Sequence, residues 1–285
     1  MGKFTLTGFL GEQWSKVPPV ATADLRDKTI VVIGANTGLG FEASKHFARQ
    51  KPARLILACR KLQKETTYRA AELWLIELSK FSSVVAFADK FEKDGGLLDI
   101  LVANAGVALS EYTTPDGWET SIQVNDLALS LVLLRLLPGL IQTAKKHAAG
   151  GGLLDVLFVQ ALNERLPGSP VIVNGVNPGF CYSEIRREFK GIKAKFDWLM
   201  EKAVARTVGE GGRQLVWAAL GDAEDENQLH GAYLSSCKVS EADDLAIGPK
   251  GKVVQNKLWA EMMDILSKVD PRVRQIEEEH LTKPR

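Results

Sequence analysis

Apolar residues along this chain follow two patterns that alternate with each other. Continuous apolar runs predict strands buried on both faces at 29–33, 55–59, 74–76, 98–102 and 171–173. Apolar residues at helical spacing predict helices at 39–49, 62–71, 121–141, 153–166, 194–219 and 256–268. The helical pattern at 62–71 runs almost into the strand at 74–76, so the boundary between them stays open.

Strands that alternate with helices imply crossover connections and a parallel sheet covered by helices on both faces. The sequence therefore predicts an α/β fold with a doubly wound, mostly parallel, Rossmann-like sheet. The chain contains no internal repeat, so we expect a single domain over 1–285. A lead segment at 1–27 precedes the first strand, and the charged tail at 276–285 is expected to fray.

Composition and charge narrow the classes of partner. The 285 residues are 45% apolar and 25% charged, which is too hydrophobic for a disordered chain. The net charge is +1, so no overall field attracts nucleic acid. Cys59, Cys181 and Cys237 are widely spaced, which indicates reduced thiols inside a cell. No Cys-x-x-Cys pair is present and the four histidines are scattered, so a metal site is not expected.

The most apolar stretch, 127–141, tests for a membrane segment. It contains Arg135 and is shorter than the roughly 20 residues that a bilayer requires, so we expect a buried helix and no membrane span. Residues 1–11 lack a basic region followed by an apolar one, so no secretory signal is predicted. The expected location is the cytoplasm.

A glycine-rich motif, Gly34-Ala35-Asn36-Thr37-Gly38-Leu39-Gly40, joins the first predicted strand to the first predicted helix. Glycines at this junction allow a tight turn, and the amides at the start of the helix attract a pyrophosphate. The motif therefore predicts a dinucleotide site, and the alternative is a structural turn that binds no ligand.

The residue that ends the second strand indicates which dinucleotide binds. Arg60 lies 20 residues after Gly40, where an acidic residue would bind the ribose hydroxyls of NAD. An arginine at this position can instead pair with the 2′-phosphate of NADP, so NADP is predicted. The alternative is a solvated charge at the end of a strand.

An ordered set of motifs resembles the short-chain dehydrogenases/reductases, in particular the branch similar to retinol dehydrogenases and their fungal relatives. The motifs are GANTGLG at 34–40, LACR at 57–60, LDILVANAG at 98–106, NPG at 177–179 and GAYLSSC at 231–237. The resemblance covers nearly the whole chain. It implies an NADP-dependent oxidoreductase that acts on a small-molecule alcohol or carbonyl. The single domain as a whole would form this enzyme.

The same resemblance implies roles for individual residues. Cofactor contacts are implied for Gly34, Asn36, Thr37, Gly38, Leu39, Gly40, Arg60, Glu77, Asn104, Ala105, Gly106, Pro178, Gly179 and Ser183. Asn125 matches the asparagine that organises the catalytic water chain, although an asparagine that caps a helix start is an equal alternative. Glu77 matches a carboxylate that faces the adenine, and it is equally consistent with a surface acid.

The catalytic serine, tyrosine and lysine of the family are not found. A tyrosine has an ordinary pKa near 10 and needs a nearby positive charge to ionise at neutral pH. Matching the helix at 153–158 to the family puts Gly152 at the lysine position and Ala148 at the tyrosine position. Neither can transfer a proton, so the activity of this chain is expected to be impaired.

We also expect that one central strand is excised, because only 148–152 separates the long helix from the next one. We expect the strand at 171–173 to move inward and pair with 98–102. The segment after Arg60 is short as well, since a crossover helix has to fit between 61 and 72.

Other residues are candidates for the missing acid/base and for contact with the substrate. Tyr182, or Lys145, Lys146 and His147, are weak candidates to replace the missing acid/base. An apolar substrate is suggested by Phe180, Tyr182, Ile185, Phe189, Phe196 and Trp198, for which core packing is at least as good an explanation. A catalytically inactive protein that binds a dinucleotide or a partner is the alternative function. A homodimer through helices 127–141 and 153–166 stays open.

Overall fold

The computed structural model describes residues 6–60, 71–144, 149–150, 156–186, 191–221 and 226–282. The strands within these ranges are β1 Thr29–Ile33, β2 Arg54–Cys59, β3 Ala71–Leu75, β4 Ile100–Ala103, β5 Ala149–Gly150, β6 Val171–Ile172, β7 Gly175–Asn177, β8 Tyr233–Ser235 and β9 Lys238–Ser240. The helices are α1 Leu6–Gln13, α2 Gly38–Arg49, α3 Phe81–Lys93, α4 Thr120–Ile122, α5 Leu129–Ala144, α6 Val156–Glu164, α7 Gly191–Val204, α8 Val208–Leu220, α9 Asp244–Ile247, α10 Pro249–Val269 and α11 Arg272–His280.

The first four strands form a parallel sheet in the order β3-β2-β1-β4. Successive residues of β1 face opposite sides of this sheet: Val31 and Ile33 belong to one buried cluster, Ile30 and Val32 to another. Helices α3, α5, α6, α10 and α11 contribute to the first cluster, and α2 and α8 to the second. The expected α/β fold, a Rossmann-like sheet with helices on both faces, is therefore confirmed.

The predicted elements of this first sheet agree closely with the structure. β1 spans the predicted residues, and β2 and β4 differ from the predictions by one or two residues at their ends. β3 begins three residues earlier than expected, at Ala71. The helix predicted at 62–71 otherwise lies outside the described residues. Helix α3 was missed, although Phe81, Val84, Ala88 and Phe91 give it a regular buried face.

The expected pairing between 171–173 and 98–102 is wrong. Among the described residues, Val171 and Ile172 pair in parallel with Ala149 and Gly150, and this two-stranded sheet shares no strand with the sheet of β1–β4. The expected loss of a central strand stays a prediction, because the residues on both sides of β5 lie outside the described ranges. Strand formation needs only extended backbone with a partner, so two residues suffice for a short ladder.

The remaining strands form a small mixed sheet. β7 pairs in parallel with β8, and β8 pairs in antiparallel with β9. Two short segments, 171–172 and 175–177, therefore occupy the region predicted as one strand that ends in the Asn177-Pro178-Gly179 turn. Asn174, fully buried between them, donates a hydrogen bond to the carbonyl of Ala218 at 3.1 Å.

The long apolar helix extends beyond the predicted range, 121–141. It runs without a break from Thr120 to Ala144 through a π-helical segment, Gln123–Ala128, and contains Pro138. By length and composition this 25-residue run could cross a membrane, and 78% of its most apolar window is buried inside the protein. A buried core helix, as expected from the sequence, accounts for that burial.

Arg135 is the polar exception on this helix. Its side chain is completely buried, and its guanidinium donates hydrogen bonds to Asp89 at 2.6 Å, to Glu92 at 3.1 Å and to Asp270. Two of the three carboxylates come from α3, and the third belongs to the residue directly after α10. A buried charge is tolerated only when it is paired and hydrogen-bonded, so this cluster joins the C-terminal helices to the core.

Two predictions for the C-terminal region require correction. The helix expected at 194–219 is two helices, α7 and α8, because Thr207 and Glu210 form a reciprocal capping box that starts α8. The tail expected to fray at 276–285 is helical as far as His280, with Val273 and Ile276 buried against the core.

Candidate functional site

The glycine-rich turn lies where β1 passes into α2. Gly34 has a φ of +81°, and a Cβ built on it would lie 2.7 Å from the Cα of Ala105. Only glycine fits such a position, because its conformation is left-handed and the neighbouring backbone is too close for a side chain. The turn therefore packs directly on the segment that follows β4.

The start of α2 is open toward the same side. Thr37 is the N-cap residue and has extended backbone, and within the described part of the chain its side chain makes no capping hydrogen bond. The first amides of a helix have no acceptor inside the helix, and they carry the positive end of its dipole. These amides are therefore suited to bind an anionic group.

A cleft of about 520 Å³ opens at the carboxyl ends of these strands. Ligands of doubly wound proteins bind at this edge of the sheet. The predicted cofactor residues that line it are Gly34, Asn36, Thr37, Gly38, Leu39, Arg60, Glu77, Asn104, Ala105, Gly106, Pro178, Gly179 and Ser183. The fold thus gathers residues from six separate stretches of the sequence around one cleft.

Gly40 is the one predicted cofactor residue that does not line the cleft. A Cβ on Gly40 would lie 2.5 Å from both the Asn104 amide nitrogen and the Gly34 carbonyl oxygen. The Asn104 amide in turn donates to that carbonyl at 3.4 Å. Gly40 therefore serves the close packing of helix on strand, which is the role that the third glycine of such motifs plays.

Arg60 and Glu77 both line the cleft and lie close to each other. The Arg60 Nε atom lies 4.0 Å from the Glu77 carboxylate, and about half of the Arg60 side chain is exposed to solvent. The other oxygen of Glu77 accepts hydrogen bonds from the amide and the hydroxyl of Ser79. Among the described residues, the guanidinium is thus held at the cleft by one weak, partly solvated ion pair, and about half of its side chain stays accessible to a ligand.

Asn125 lies in the π-helical segment and does not cap the helix start. Its side-chain oxygen accepts from the Val107 amide at 2.8 Å, and its side-chain nitrogen donates to the Val107 carbonyl at 2.9 Å. This double hydrogen bond holds the strand-to-loop connection after Gly106. The helix-cap alternative is wrong, because Glu119 is the N-cap and Asn125 lies inside the helix. The role implied by the resemblance stays a prediction, and π-helical segments are frequent beside functional sites.

Several residues that line the cleft were not predicted. They include Val107, Leu109, Thr113, Pro115, Thr120, Val124, Cys181 and Glu184. Thr113 and Thr120 hydrogen-bond to each other through their hydroxyls at 2.7 Å. These residues come from a loop and a helix start that carry no regular pattern, so only the folded chain brings them together.

The described lining contains no tyrosine, lysine or histidine. Tyr112 is 80% exposed, Tyr182 lies outside the lining between Cys181 and Ser183, and the Tyr233 hydroxyl accepts a hydrogen bond from Asn177. The other candidates for the acid/base and their aligned positions, Tyr68, Lys145, Lys146, His147, Ala148 and Gly152, lie outside the described residues. No described residue of the cleft is therefore placed to act as the family's proton donor.

The residues predicted to contact an apolar substrate are divided. Ile185 lines the cleft, whereas Phe180 and Trp198 do not, and Trp198 is 56% exposed on α7. Phe189 lies outside the described residues. The apolar part of the cleft is instead formed by Ile185 together with Val107, Leu109 and Val124.

Comparison with known proteins gives consistent results. A sequence model of short chain dehydrogenases matches residues 28–151. A short chain dehydrogenase/reductase of Cryptosporiopsis, dmxR8, is 31% identical over 93% of this chain and 98% of its own length. That alignment extends over 326 positions against 285 residues here, so at least 41 of its positions have no residue of this chain.

Solved structures agree in fold. A protein from Mycobacterium paratuberculosis superimposes with a TM-score of 0.63 at 22% identity, covering 87% of this chain and 98% of that one. An NADPH-bound carbonyl reductase from chicken fatty liver superimposes with a TM-score of 0.59 at 17% identity, covering 76% of this chain and all of the other.

Proposed function

This chain belongs to the short-chain dehydrogenase/reductase family of oxidoreductases, and from that premise we propose that it binds NADP(H) in the cleft beside Gly34. We propose further that its reaction is hydride exchange with the alcohol or carbonyl of a small apolar molecule, and that the reaction is impaired in this chain. The observation that carries the proposal is the joint position of the open α2 start and Arg60 on one cleft.

The residues present fit the cofactor. The pyrophosphate would lie at the uncapped start of α2, where Gly38 has a φ of +64° and a Cβ would meet no protein atom within 4 Å. Arg60 would hold the 2′-phosphate, since a guanidinium forms paired hydrogen bonds to phosphate oxygens. When bound, the nicotinamide supplies or accepts a hydride.

The apolar residues that line the cleft support the substrate class. Val107, Leu109, Val124 and Ile185 offer aliphatic surface next to the Pro178–Gly179 turn, where the resemblance expects the nicotinamide. Burial of an aliphatic substrate against such side chains is worth about 25 cal/mol per Å² of apolar surface. Among the described residues that line this end of the cleft, Glu184 is the carboxylate that a charged substrate would meet.

A second candidate is a binding protein without chemistry. It is favoured by the lack of tyrosine, lysine and histidine in the described lining of the cleft. When the carbon of a carbonyl group gains a hydride, its oxygen needs a proton; without a general acid the protein cannot supply that proton, and this step is worth about 10²- to 10⁴-fold in rate. In this case cofactor binding, not turnover, would be the function.

Calorimetric titration tests the cofactor. We expect NADPH to bind more tightly than NADH, and Arg60→Ala to reduce the affinity for NADPH about 10- to 100-fold, the range of one charged hydrogen-bonded pair. Arg26→Ala, which removes an exposed arginine far from the cleft, is the matched control. Equal affinities for the two cofactors in the parent chain would contradict the assignment of NADP.

Hydride transfer separates the two candidates. NADPH oxidation is followed with a panel of apolar ketones and aldehydes, in this chain and in a variant that receives the family's strand and tyrosine-lysine segment at 148–152. Slow turnover that the insertion accelerates at least 100-fold supports the impaired oxidoreductase. Tight binding with no turnover in either protein supports the binding protein, and rapid turnover in the unaltered chain contradicts both.

A further inference from the structure

Gln13, the last residue of α1, is buried deep in the protein although it belongs to the lead segment. Only 6% of it is exposed, and its carboxamide is fully engaged. The side-chain nitrogen donates to the carbonyls of Phe180 at 2.8 Å and Val204 at 2.9 Å, and the oxygen accepts from the Phe180 amide at 3.0 Å. One side chain therefore reproduces the hydrogen bonds that a neighbouring strand would supply.

Two more buried side chains hold the adjacent turn. Arg206, 4% exposed, donates to the Pro178 carbonyl at 3.2 Å, to the Ser236 hydroxyl at 2.9 Å and to the Glu12 carbonyl. Gln214, 1% exposed, donates to the same Pro178 carbonyl at 2.7 Å. The segment from Pro178 to Phe180 is thus held from behind by α1, by the residues before α8 and by α8 itself.

The turn has little freedom between these side chains and the cleft. Gly179 has a φ of +78°, and a Cβ on it would lie 2.8 Å from the Arg206 guanidinium and closer still to the Gln13 carboxamide. On its other side, the turn contributes Pro178 and Gly179 to the cleft lining. Any shift of the buried side chains is therefore transmitted to the wall of the cleft.

These contacts matter because the surrounding ladders are short. β7 ends at Asn177, and after it the isolated bridge between Cys181 and Arg206 is the next backbone pairing. The turn between them depends on side-chain hydrogen bonds. A buried carbonyl or amide that loses a hydrogen-bond partner destabilises the arrangement that keeps it buried. The removal of one side-chain donor therefore favours displacement of the turn.

We propose that Gln13 is a positioning residue: the lead segment, through this carboxamide, fixes the Pro178–Gly179 turn and so sets the affinity of the nicotinamide half of the cleft. The proposal rests on NADP(H) as the ligand. Its distinctive consequence is that Gln13 affects one half of the dinucleotide only, because Arg60 and the start of α2 lie on separate elements.

The test compares NADPH with adenosine 2′,5′-bisphosphate, which carries only the adenosine half. Gln13→Met keeps the length and packing of the side chain and removes its hydrogen bonds, and Lys16→Ala, at an exposed position of the same lead segment, is the control. We expect Gln13→Met to weaken NADPH at least fivefold and to change the fragment less than twofold. Lys16→Ala should change neither.

Two results of this titration would overturn the proposal. Unchanged NADPH affinity in Gln13→Met removes the positioning role. A parallel loss for NADPH and the fragment, together with a lower melting temperature, indicates a general structural role instead. If the parent chain binds neither ligand, the proposed function fails, whereas binding of both in the parent with no effect of Gln13→Met defeats this inference alone.

A readout without cofactor completes the test. Cys181 is 5% exposed and its thiol contacts the Pro178 carbonyl at 3.4 Å, so its alkylation reports opening of the turn. We expect Gln13→Met to accelerate modification of Cys181, measured by peptide mass spectrometry, at least threefold. Cys237 serves as the internal reference, because burial raises the pKa of its thiol to about 11. Equal rates at Cys181 in both proteins would count against the brace.

Discussion

Two regions of this molecule position the same cleft by different physical means. In the long-strand region, β1–β4, strands of four to six residues pair in continuous register and place Gly34, Arg60 and Asn104 at their ends. In the short-strand region, β5–β9, the strands have two or three residues each. There, hydrogen bonds from buried polar side chains such as Gln13 and Arg206 take the place of backbone hydrogen bonds between longer strands.

The difference has a consequence for robustness. A ladder distributes its hydrogen bonds over many backbone groups that no substitution removes, so the long-strand region tolerates most side-chain changes. A side-chain brace concentrates several hydrogen bonds in one residue. The short-strand region should therefore fail at single side chains, and the long-strand region only where its backbone geometry is disturbed.

The largest effect is expected from a backbone disturbance in the long-strand region. Gly34→Ala adds a methyl group within 3 Å of Ala105 at a left-handed position. We expect a loss of about 2 to 5 kcal/mol in the free energy of unfolding, from left-handed strain and overpacking together. Urea denaturation measures it.

Gly209→Ala is the matched control, because its added Cβ meets no atom within 4 Å on the partly buried first turn of α8. It should be neutral or stabilising by up to about 1 kcal/mol. Equal effects of the two substitutions would mean that the geometry of Gly34 is not what limits this region.

A side-chain deletion in the short-strand region should come next. Arg206→Met removes the donors to Pro178 and Ser236 while keeping much of the apolar volume. Acceptors left unpaired cost about 1 to 3 kcal/mol each, partly relieved by water, so we expect a loss of about 2 to 4 kcal/mol in unfolding free energy. Arg274→Met, at an exposed arginine, is the control and should cost less than about 0.5 kcal/mol.

A smaller effect is expected where α8 begins. Thr207→Ala removes the N-cap hydroxyl that accepts from the Glu210 amide at 3.2 Å, and it should cost about 1 kcal/mol. Thr207→Ser retains the hydroxyl and should recover most of that loss. If Thr207→Ala and Thr207→Ser have the same melting temperature, the cap does not stabilise the packing of α8 on α2.

The smallest effect is a pH dependence at the same cap. Hydrogen bonding from the Thr207 backbone amide lowers the pKa of Glu210 below its ordinary value. A carboxyl with a lowered folded-state pKa stabilises the protein above its unfolded pKa, near 4.3, and loses that contribution as the pH falls through the folded value. The stability difference between the parent and Glu210→Gln should therefore shrink from pH 6 to pH 3. A constant difference would argue against the ionised cap.

The difference in strand length also explains why the sequence predicted the long-strand region better than the short-strand region. Strands such as 29–33 are buried on both faces, so their apolar runs are continuous and easy to recognise. β5 has two residues, Ala149 and Gly150, with no apolar run, and its existence depends on a partner far along the chain. The wrong pairing of 171–173 with 98–102 arose from this missing signal.

The candidate site divides in the same way. Its glycine turn and Arg60 belong to local motifs with fixed spacing, which is why they could be found before the fold was known. Gln13 gave no signal, because its partners at Phe180 and Val204 are more than 160 residues away in the sequence. α3 is the exception, since its apolar face was regular and could have been recognised.

The buried cluster around Arg135 has an evolutionary consequence. Arg135 and Asp270 are both buried, so the loss of either one leaves the other with one ionic partner fewer inside the protein, whereas Asp89 is partly exposed and Glu92 also pairs with Arg272. Neutral drift cannot easily pass through the intermediates that lack only one of these two charges. Descendants of this gene should either inherit Arg135 and Asp270 together or exchange them together for apolar residues, and a selection experiment should recover double replacements of this pair far more often than single ones.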